Sequence, residues 1–325
     1  GTGVKLRAHG KTHKSPYLAR KQIARGAVGV CCQKVSEAEV MVEGEINDIL
    51  ITSQVATRDK MVRLCALAKR ADVKVAVDDP SNLRDLSDVA RKHGATVGVV
   101  VEVDTSMHRA GIRRIEQGVE LAKLAVESPG IAFRGVMSHQ TLPGEPDRET
   151  RLIGGRKYIQ MCLDVKDAIE VAGIPVEIVS TGESWSYDVA AGIPGVTEVE
   201  GGSYALMDTS LTYMDEFEMA VKVLGTVVST PRPGVAIGDV GVRALASPDG
   251  ILPSVEDLPQ VTAGELHEEH IVLRSEGAMP LRVGDKFLLH SGQQDIMVNR
   301  WDRFIAVRDE MVEAVWDIPG RGCFH

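Results

Sequence analysis

The pattern of hydrophobic and polar residues divides the chain into two blocks. Up to about residue 213, short runs rich in β-branched residues alternate with longer stretches of helical periodicity. One run, Thr96–Asp104, is almost continuously apolar at its centre, which is typical of a parallel strand buried on both faces. The strands predicted in this block are Lys5–His9, Ala27–Cys32, Asp48–Thr52, Lys74–Asp78, Thr96–Asp104, Phe133–His139, Val176–Thr181 and Glu198–Tyr204.

Helices are predicted between these strands. Pro80-Ser81-Asn82 and several glycines supply the start and stop signals. The clearest helical stretches are Asp59–Arg70, Leu83–His93, Ile115–Glu127 and Arg156–Ala172. Eight strands alternating with helices over roughly 200 residues have the size and rhythm of a (β/α)8 TIM-type barrel. An open, doubly wound sheet has the same local pattern, so the count of eight strands is what favours the barrel.

After residue 215 the helical periodicity disappears. Short strands follow one another, separated by turns rich in Pro, Gly and Asp. The predicted strands are Met219–Thr230, Val235–Ala246, Leu266–Ser275, Lys286–His290, Arg303–Val307 and Met311–Asp317. The sequence therefore predicts an α/β barrel domain over residues 1–214 and a C-terminal all-β domain over residues 215–325.

Composition and charge exclude several kinds of partner. The net charge of −9 disfavours nucleic acid and anionic membranes as main partners. No apolar run is long enough to span a bilayer, and no signal peptide is recognisable. The five cysteines have no metal-ligand spacing, and the pair Cys31-Cys32 lies inside an apolar strand. We therefore expect reduced, buried thiols in a cytoplasmic protein.

Lys11 is the strongest candidate for chemistry. It follows the first predicted strand, and His9 and His13 flank it at strand spacing, so the three side chains would share one face. Three basic groups on one face are costly unless they meet an anion or act in their neutral form. The neighbouring Lys14 is expected to be an ordinary solvated lysine. An amine at the mouth of a barrel suits a pyridoxal-phosphate enzyme, which needs one to bind the cofactor's aldehyde.

Loops with glycine and hydroxyl residues follow the last two barrel strands. The first contains Ser180, Thr181 and Gly182, and the second contains Gly202, Ser203 and Tyr204. Phosphates in barrels of this type usually bind after strands seven and eight, where glycine permits close backbone approach. Arg109 after strand five and His139 at the end of strand six are further candidates, with a surface arginine and a structural histidine as the alternatives.

A family resemblance sharpens these expectations. The string Arg7-Ala8-His9-Gly10-Lys11-Thr12-His13-Lys14 resembles the Arg-Pro-His-x-Lys-Thr-His-Lys hallmark of the D-threonine aldolase and D-serine dehydratase-like group. These are fold-type III pyridoxal-phosphate enzymes with an alanine racemase-type barrel. Gly29–Glu39 is most similar to the 3-hydroxy-D-aspartate aldolase branch. The resemblance implies a lyase that cleaves the Cα–Cβ bond of a D-β-hydroxy amino acid to give glycine and an aldehyde. A D-amino-acid dehydratase or an amino-acid racemase are the alternatives.

The resemblance also implies roles for individual residues. Lys11 would form the Schiff base with pyridoxal 5'-phosphate, beside His9, and Arg109 would contact the cofactor's O3′. The phosphate would be held by Ser180, Thr181, Gly182, Gly202, Ser203 and Tyr204. The expected partners are a small amino-acid substrate and a second copy of the chain, in a homodimer with its active site at the subunit interface.

The sequence departs from the family pattern at two site positions. The family binds a divalent cation through a His-x-Asp or His-x-Cys pair near the C-terminus; here Asp295 matches, but Gln293 stands in place of the histidine. An amide oxygen ligates a hard cation more weakly than imidazole binds Mn²⁺ or Zn²⁺, so a site for Mn²⁺, Mg²⁺ or Zn²⁺ is weakened. A family histidine after strand six is replaced by Glu145, so Glu145 or His139 is the candidate catalytic base.

Overall fold

The computed structural model describes residues 3–142 and 147–325. These residues form two compact units, one comprising the chain up to Gly202 together with Cys323–His325, and the other Ser203–Gly322. The division of the sequence into domains at residue 214 stays a prediction. Each unit is described separately.

The first unit is built on a closed barrel of eight parallel strands, in the order β1 to β8. This confirms the predicted (β/α)8 architecture. The strands are β1 (Lys5–His9), β2 (Gly29–Cys32), β3 (Asp48–Ile51), β4 (Asp72–Val77), β5 (Val97–Glu102), β6 (Ile131–Met137), β7 (Ile178–Ser180) and β8 (Glu198–Val199). The helices are α1 (Pro16–Ile23), α2 (Val35–Glu43), α3 (Arg58–Ala68), α4 (Pro80–His93), α5 (Ile115–Glu127), α6 (Arg148–Val171) and α7 (Tyr187–Ala190).

Burial on both faces explains why the barrel strands are apolar. In β5, Val99 and Val101 point outward into the core between strands and helices. Val100 points inward and belongs to a separate small cluster inside the barrel. We call that cluster the barrel floor; it consists of Cys31, Leu50, Ala76, Val100 and Met137. Because successive side chains alternate between the two buried faces, the strand reads as one apolar run.

The predicted signals at the ends of α4 are present in the structure. Asp79 precedes the helix, and its carboxylate accepts hydrogen bonds from the backbone N–H groups of Ser81 and Asn82, both at 2.8 Å. Pro80 occupies the first helical position, where no N–H is needed. Gly94 ends the helix with φ of +58°, in the left-handed region that favours glycine.

An ion-pair network closes the amino end of the barrel. Arg7 is fully buried and donates two hydrogen bonds to Glu198, at 2.7 and 2.6 Å. Its third contact is Asp48 at 2.5 Å, and Asp48 in turn lies 2.7 Å from Lys74. Since each buried charge meets an opposite charge, the cost of removing it from water is offset locally.

The second unit is all-β, as predicted. Six strands close an antiparallel barrel in the order β10-β13-β12-β11-β14-β9, and β15 and β16 form a separate two-stranded ribbon. The strands are β9 (Val223–Arg232), β10 (Val235–Gly238), β11 (Ser254–Val255), β12 (Val261–Leu266), β13 (Ile271–Ser275), β14 (Lys286–His290), β15 (Arg303–Arg308) and β16 (Met311–Asp317). A helix, α8 (Gln294–Val298), and the strands β11 and β12 were not predicted. The predicted strand Leu266–Ser275 is wrong at its start, because the chain turns between Leu266 and Ile271 and the two ends pair as neighbours.

Two further expectations concern the burial of the cysteines and the absence of a membrane-spanning segment. Cys31, Cys32, Cys65 and Cys162 are free and buried, whereas Cys323 is free but partly exposed, so the expected burial fails there. Among the described residues, none of the helices combines the length and apolar content needed to cross a bilayer.

Candidate active site

Lys11 lies immediately after the first strand. The strand ends at His9, and Gly10–Thr12 form one turn of 3-10 helix in which Lys11 is half-buried. The expectation that His9, Lys11 and His13 share one strand face is therefore wrong, since the strand stops before two of them. The 3-10 turn still keeps Lys11 at the carboxyl end of β1, where active sites of such barrels lie.

His9 is buried beside Lys11 and is neutral. Its Nδ1 accepts a hydrogen bond from the Lys11 backbone N–H at 3.5 Å, and its Nε2 lies 3.3 Å from Thr52 Oγ1. Burial, and then the positive charge of Lys11, hold the pKa of His9 well below its usual value. The ring proton therefore resides on Nε2 and is donated to Thr52, so His9 adds no second positive charge next to Lys11.

The residues after Lys11 anchor its loop. His13 is buried; its Nδ1 accepts from the Ser15 backbone N–H at 3.1 Å, and its Nε2 lies 3.1 Å from Gln22 Oε1. Lys14 is also buried and forms a close ion pair with Glu37, so the expectation of a solvated Lys14 is wrong. These contacts hold the C-terminal end of the turn that carries Lys11.

Two glycines bring backbone close to this loop and to the end of β7. A Cβ added to Gly202 would lie 2.8 Å from Thr12 Oγ1 and 3.0 Å from His9 Cβ. Gly182 has φ of +91°, and a Cβ there would lie 2.6 Å from Ala190 Cβ. Both positions thus require glycine, for close approach and for backbone conformation respectively.

Buried hydroxyls beside these glycines have unused hydrogen-bonding capacity. Within the described ranges, Thr12 Oγ1 makes no hydrogen bond of normal geometry, and Ser180 Oγ makes none either, although it lies close enough to the Glu200 carboxyl to lower its pKa. Thr181 differs, because its Oγ1 lies 2.7 Å from Ser138 Oγ and accepts from Gln140 Nε2 at 2.6 Å. Buried polar groups are rarely left unsatisfied, so Thr12 and Ser180 fit an anion such as a phosphate. The roles predicted for Ser203 and Tyr204, which begin the second unit, stay predictions.

His139 follows β6 and pairs with a carboxylate that the sequence did not single out. Its Nδ1 lies 2.6 Å from Glu183 Oε1, and Glu183 is largely buried. Glu183 is fixed in turn, since its backbone N–H donates to Ser186 Oγ at 2.9 Å. A carboxylate at Nδ1 holds the proton on that nitrogen and leaves Nε2 as an acceptor. The available sequence signal was an acidic residue directly after the loop glycine Gly182.

Two buried carboxyl groups complete the carboxyl end of the barrel. Glu102 ends β5 and accepts a hydrogen bond from Gln54; burial raises its pKa, and Arg109 on the following loop partly opposes that rise. Arg109 itself is exposed. Glu200 follows β8, and burial, then the charge of Glu183, raise its pKa well above the usual value. Neither Glu102 nor Glu200 was assigned a role from the sequence.

The remaining predicted site residues do not form a cluster. Gln293 precedes α8 and Asp295 lies in its first turn. Across residues 3–142 and 147–325, no group of three His, Cys, Asp or Glu side chains is placed to hold a metal ion. One carboxylate and one amide fit a divalent cation poorly, and the metal stays a prediction. Glu145, the alternative base, lies outside the described residues.

The chain is similar to known proteins along its whole length. A family model described as the alanine racemase N-terminal domain matches residues 2–209, and a putative serine dehydratase domain matches residues 220–307. A 3-hydroxy-D-aspartate aldolase from Paracoccus denitrificans (strain Pd 1222) is 36% identical, covering 98% of this chain and 86% of the relative. A D-threonine aldolase from Arthrobacter sp is 34% identical with the same coverage. The crystal structure of a D-threonine aldolase from Filomicrobium marinum superposes with a TM-score of 0.96 at 34% identity, covering 100% of this chain and 89% of that one.

Proposed function

Since this chain belongs to the alanine racemase N-terminal domain family, we propose that it is a pyridoxal-phosphate-dependent lyase acting on a D-β-hydroxy amino acid. It cleaves the Cα–Cβ bond and releases glycine and an aldehyde, as expected for a relative of aldolases that act on 3-hydroxy-D-aspartate and D-threonine. The observation that carries the proposal is the position of Lys11, on a braced turn at the carboxyl end of β1 with Gly202 packed against it.

The residues present fit pyridoxal phosphate. The Lys11 amine would hold the cofactor's aldehyde carbon, and Arg109 its phenolic oxygen. The backbone at Gly182 and Gly202 and the hydroxyls of Thr12 and Ser180 would hold its phosphate, which gives the buried Thr12 hydroxyl a hydrogen-bond partner. When bound, the cofactor supplies a conjugated ring that takes up the electron pair left at the substrate's α-carbon.

In this proposal His139 removes the proton from the substrate's β-hydroxyl. Glu183 keeps the proton on Nδ1 and orients the ring, so Nε2 can accept the hydroxyl proton as the Cα–Cβ bond breaks. Glu183 also stabilises the imidazolium that results. Lys11, the basic group next to the α-carbon, then returns a proton to that carbon so that glycine leaves. The neutral His9 keeps a competing positive charge away from this proton transfer.

Product analysis tests the reaction. The purified protein is incubated with D-threonine, D-3-hydroxyaspartate and D-serine, and the products are identified. We expect glycine and an aldehyde from the first two substrates. A 2-oxo acid with ammonia would identify a dehydratase, and inverted substrate would identify a racemase. The Lys11→Ala variant should lose turnover, whereas Lys5→Ala, exposed at the opposite end of β1, should retain it. Unchanged turnover in Lys11→Ala would refute the proposal.

The His139–Glu183 pair is tested by its kinetics. Removing a general base costs roughly 10²- to 10⁴-fold in rate, so His139→Asn should lower kcat by that order. Glu183→Gln should lower kcat less, since the ring keeps Nε2 but is no longer held by a carboxylate at Nδ1. An unchanged kcat in His139→Asn would show that another group is the general base, with Glu145 as the next candidate.

We propose that the enzyme acts in the cytoplasm as a homodimer with its active site at the subunit interface. The four buried, free thiols support a reducing compartment. The dimer rests on the family resemblance of the lysine motif. Sedimentation equilibrium of the purified chain measures its mass directly, and a monomer at the concentration of full activity would refute the dimer.

A further inference from the structure

Lys14 adopts a backbone conformation that is rare for a residue with a side chain. Its φ is +52°, in the left-handed region that favours glycine, and it follows Lys11 by only three residues. Its backbone N–H donates to Gly10 O at 2.7 Å, which closes the loop around the 3-10 turn Gly10–Thr12. A glycine would meet this backbone requirement without strain. The presence of lysine therefore indicates that the side chain itself is needed at this position.

The Lys14 side chain is held by a buried carboxylate. Its ammonium forms a close ion pair with Glu37, in the first turn of α2, and the two side chains are 9% and 5% exposed. Glu37 is fixed in turn, because its second carboxylate oxygen accepts a hydrogen bond from the Gln33 backbone N–H at 2.6 Å. A buried ion pair is a weak source of stability, since two charges must leave water. Its location next to Lys11 points instead to a role in geometry.

These contacts continue into a closed ring around the turn that carries Lys11. Gln33 O accepts a hydrogen bond from Ser53 Oγ at 2.8 Å, which joins the start of α2 to the segment after β3. In that segment Thr52 Oγ1 lies 3.3 Å from His9 Nε2, and His9 Nδ1 accepts from the Lys11 backbone N–H at 3.5 Å. The ring therefore holds the turn on its N-terminal side through His9 and on its C-terminal side through the buried ion pair.

A segment distant in sequence lies beside the ion pair. Residues Cys323–His325 belong to the barrel unit, and His325 O accepts a hydrogen bond from the Ser36 backbone N–H at 3.0 Å. Burial raises the pKa of the Cys323 thiol, and the charge of Lys14 partly opposes that rise, which places the thiol near the ammonium. This segment thus contributes to the enclosure that keeps water from the ion pair.

We propose that Lys14 and Glu37 are positioning residues for Lys11; this rests on the proposed function. The pair acts through the backbone, because it holds the strained residue at the C-terminal end of the turn. The turn in turn sets where the Lys11 amine lies at the carboxyl end of β1. A displacement of about 1 Å in a reacting group can cost about 100-fold in rate. Loosening this turn should therefore slow the proton transfer by Lys11 without weakening substrate binding.

The kinetic test uses the holoenzyme and variants that separate positioning from stability. Lys14→Met or Glu37→Gln alone leaves one buried charge unpaired and should destabilise the fold. The double variant, Lys14→Met with Glu37→Gln, removes both charges, so its stability in urea should return close to that of the wild type. Its kcat should still be about 10- to 100-fold lower, with KM for the amino-acid substrate nearly unchanged. Lys14→Arg, which keeps a cation for Glu37, should recover part of kcat. Wild-type kcat in the double variant would overturn the inference.

Amide hydrogen exchange gives a readout that does not depend on turnover. The N–H groups at positions 13 and 14 donate to Gly10 O, and their protection should fall by about tenfold or more in the double variant. Glu39→Gln is the matched control, since Glu39 lies on the same helix but pairs with Arg63. It should leave both protection and kcat unchanged. Equal protection in the double variant and the wild type would overturn the inference.

The two proposals fail in different ways. If the wild type cleaves no D-β-hydroxy amino acid, the proposed function fails. If the wild type does cleave one, and the double variant matches it in kcat, the inference about Lys14 and Glu37 fails alone.

Discussion

Acidification should destabilise the first unit through His13. His13 is 1% exposed and fully engaged in its neutral form, since Nδ1 accepts from Ser15 and Nε2 donates to Gln22. Adding a proton to Nδ1 would break the Ser15 contact and bury a charge. Burial therefore lowers the pKa of His13 from 6.5 to about 4.

The sign and size of the effect follow from proton linkage. Between about pH 4 and 6.5 the unfolded chain binds a proton at His13 and the folded chain does not, so stability falls as the pH falls. The stability that His13 contributes is fully present above about pH 6.5, the pKa of histidine in the unfolded chain. Each pH unit below that costs at most about 1.4 kcal/mol. Between about pH 7 and pH 5 the loss from His13 is then about 2 kcal/mol.

Urea denaturation at the two pH values measures this loss. In His13→Gln, which cannot titrate, the free energy of unfolding should fall by about 2 kcal/mol less between about pH 7 and pH 5 than in the wild type. His270→Gln, which changes an exposed histidine between β12 and β13, is the matched control and should behave as wild type. The comparison uses the change in the free energy of unfolding between the two pH values. The packing cost of the substitution is the same at both and therefore cancels. Parallel pH profiles for wild type and His13→Gln would refute the reasoning.

Three further predictions address the barrel and the metal. Glu198→Gln weakens the pair with the fully buried Arg7 and should lower the free energy of unfolding by about 3 kcal/mol in urea; a loss below about 1 kcal/mol would contradict the role of the network. Gly135→Ala would place a Cβ 1.9 Å from Ile178 O at φ of +152°, so it should yield no folded protein by circular dichroism, and a native spectrum would contradict this. Because Gln293 is a weak ligand, lyase activity should survive exhaustive chelation, and loss that Mn²⁺ restores would show that the metal is needed.

The barrel was predictable from the sequence because its signal is local and repeated. Each strand is an apolar run bounded by a helix signal, and a parallel strand buried on both faces needs no long-range information to be recognised. The second unit was predicted less well. Strands as short as Ser254–Val255 carry too few residues for any periodicity, and the break between Leu266 and Ile271 depends on pairing across the sheet.

The active site was predictable only where a motif marked it. Lys11 and the glycines at 182 and 202 stand at ends of strands, and strand ends could be read from the hydrophobic pattern. The partners of His139 and of Lys14 could not be predicted. Glu183 and Glu37 are distant from them in the sequence and look like ordinary acidic residues there. Whether an acidic residue is paired, solvated or buried alone is a tertiary property, which no spacing rule along the chain provides.

Layering inside the barrel explains why the pKa of Glu200 is raised. The amino end is closed by the ion pairs of Arg7, the floor above it is apolar, and the polar site lies beyond the floor. Arg7 is engaged by Glu198 and Asp48, and its charge only partly opposes the rise in the pKa of Glu200. The apolar floor, in turn, keeps water from reaching Glu200 from below. Removal from water favours the neutral form of a carboxyl group, which accounts for the direction of this pKa shift.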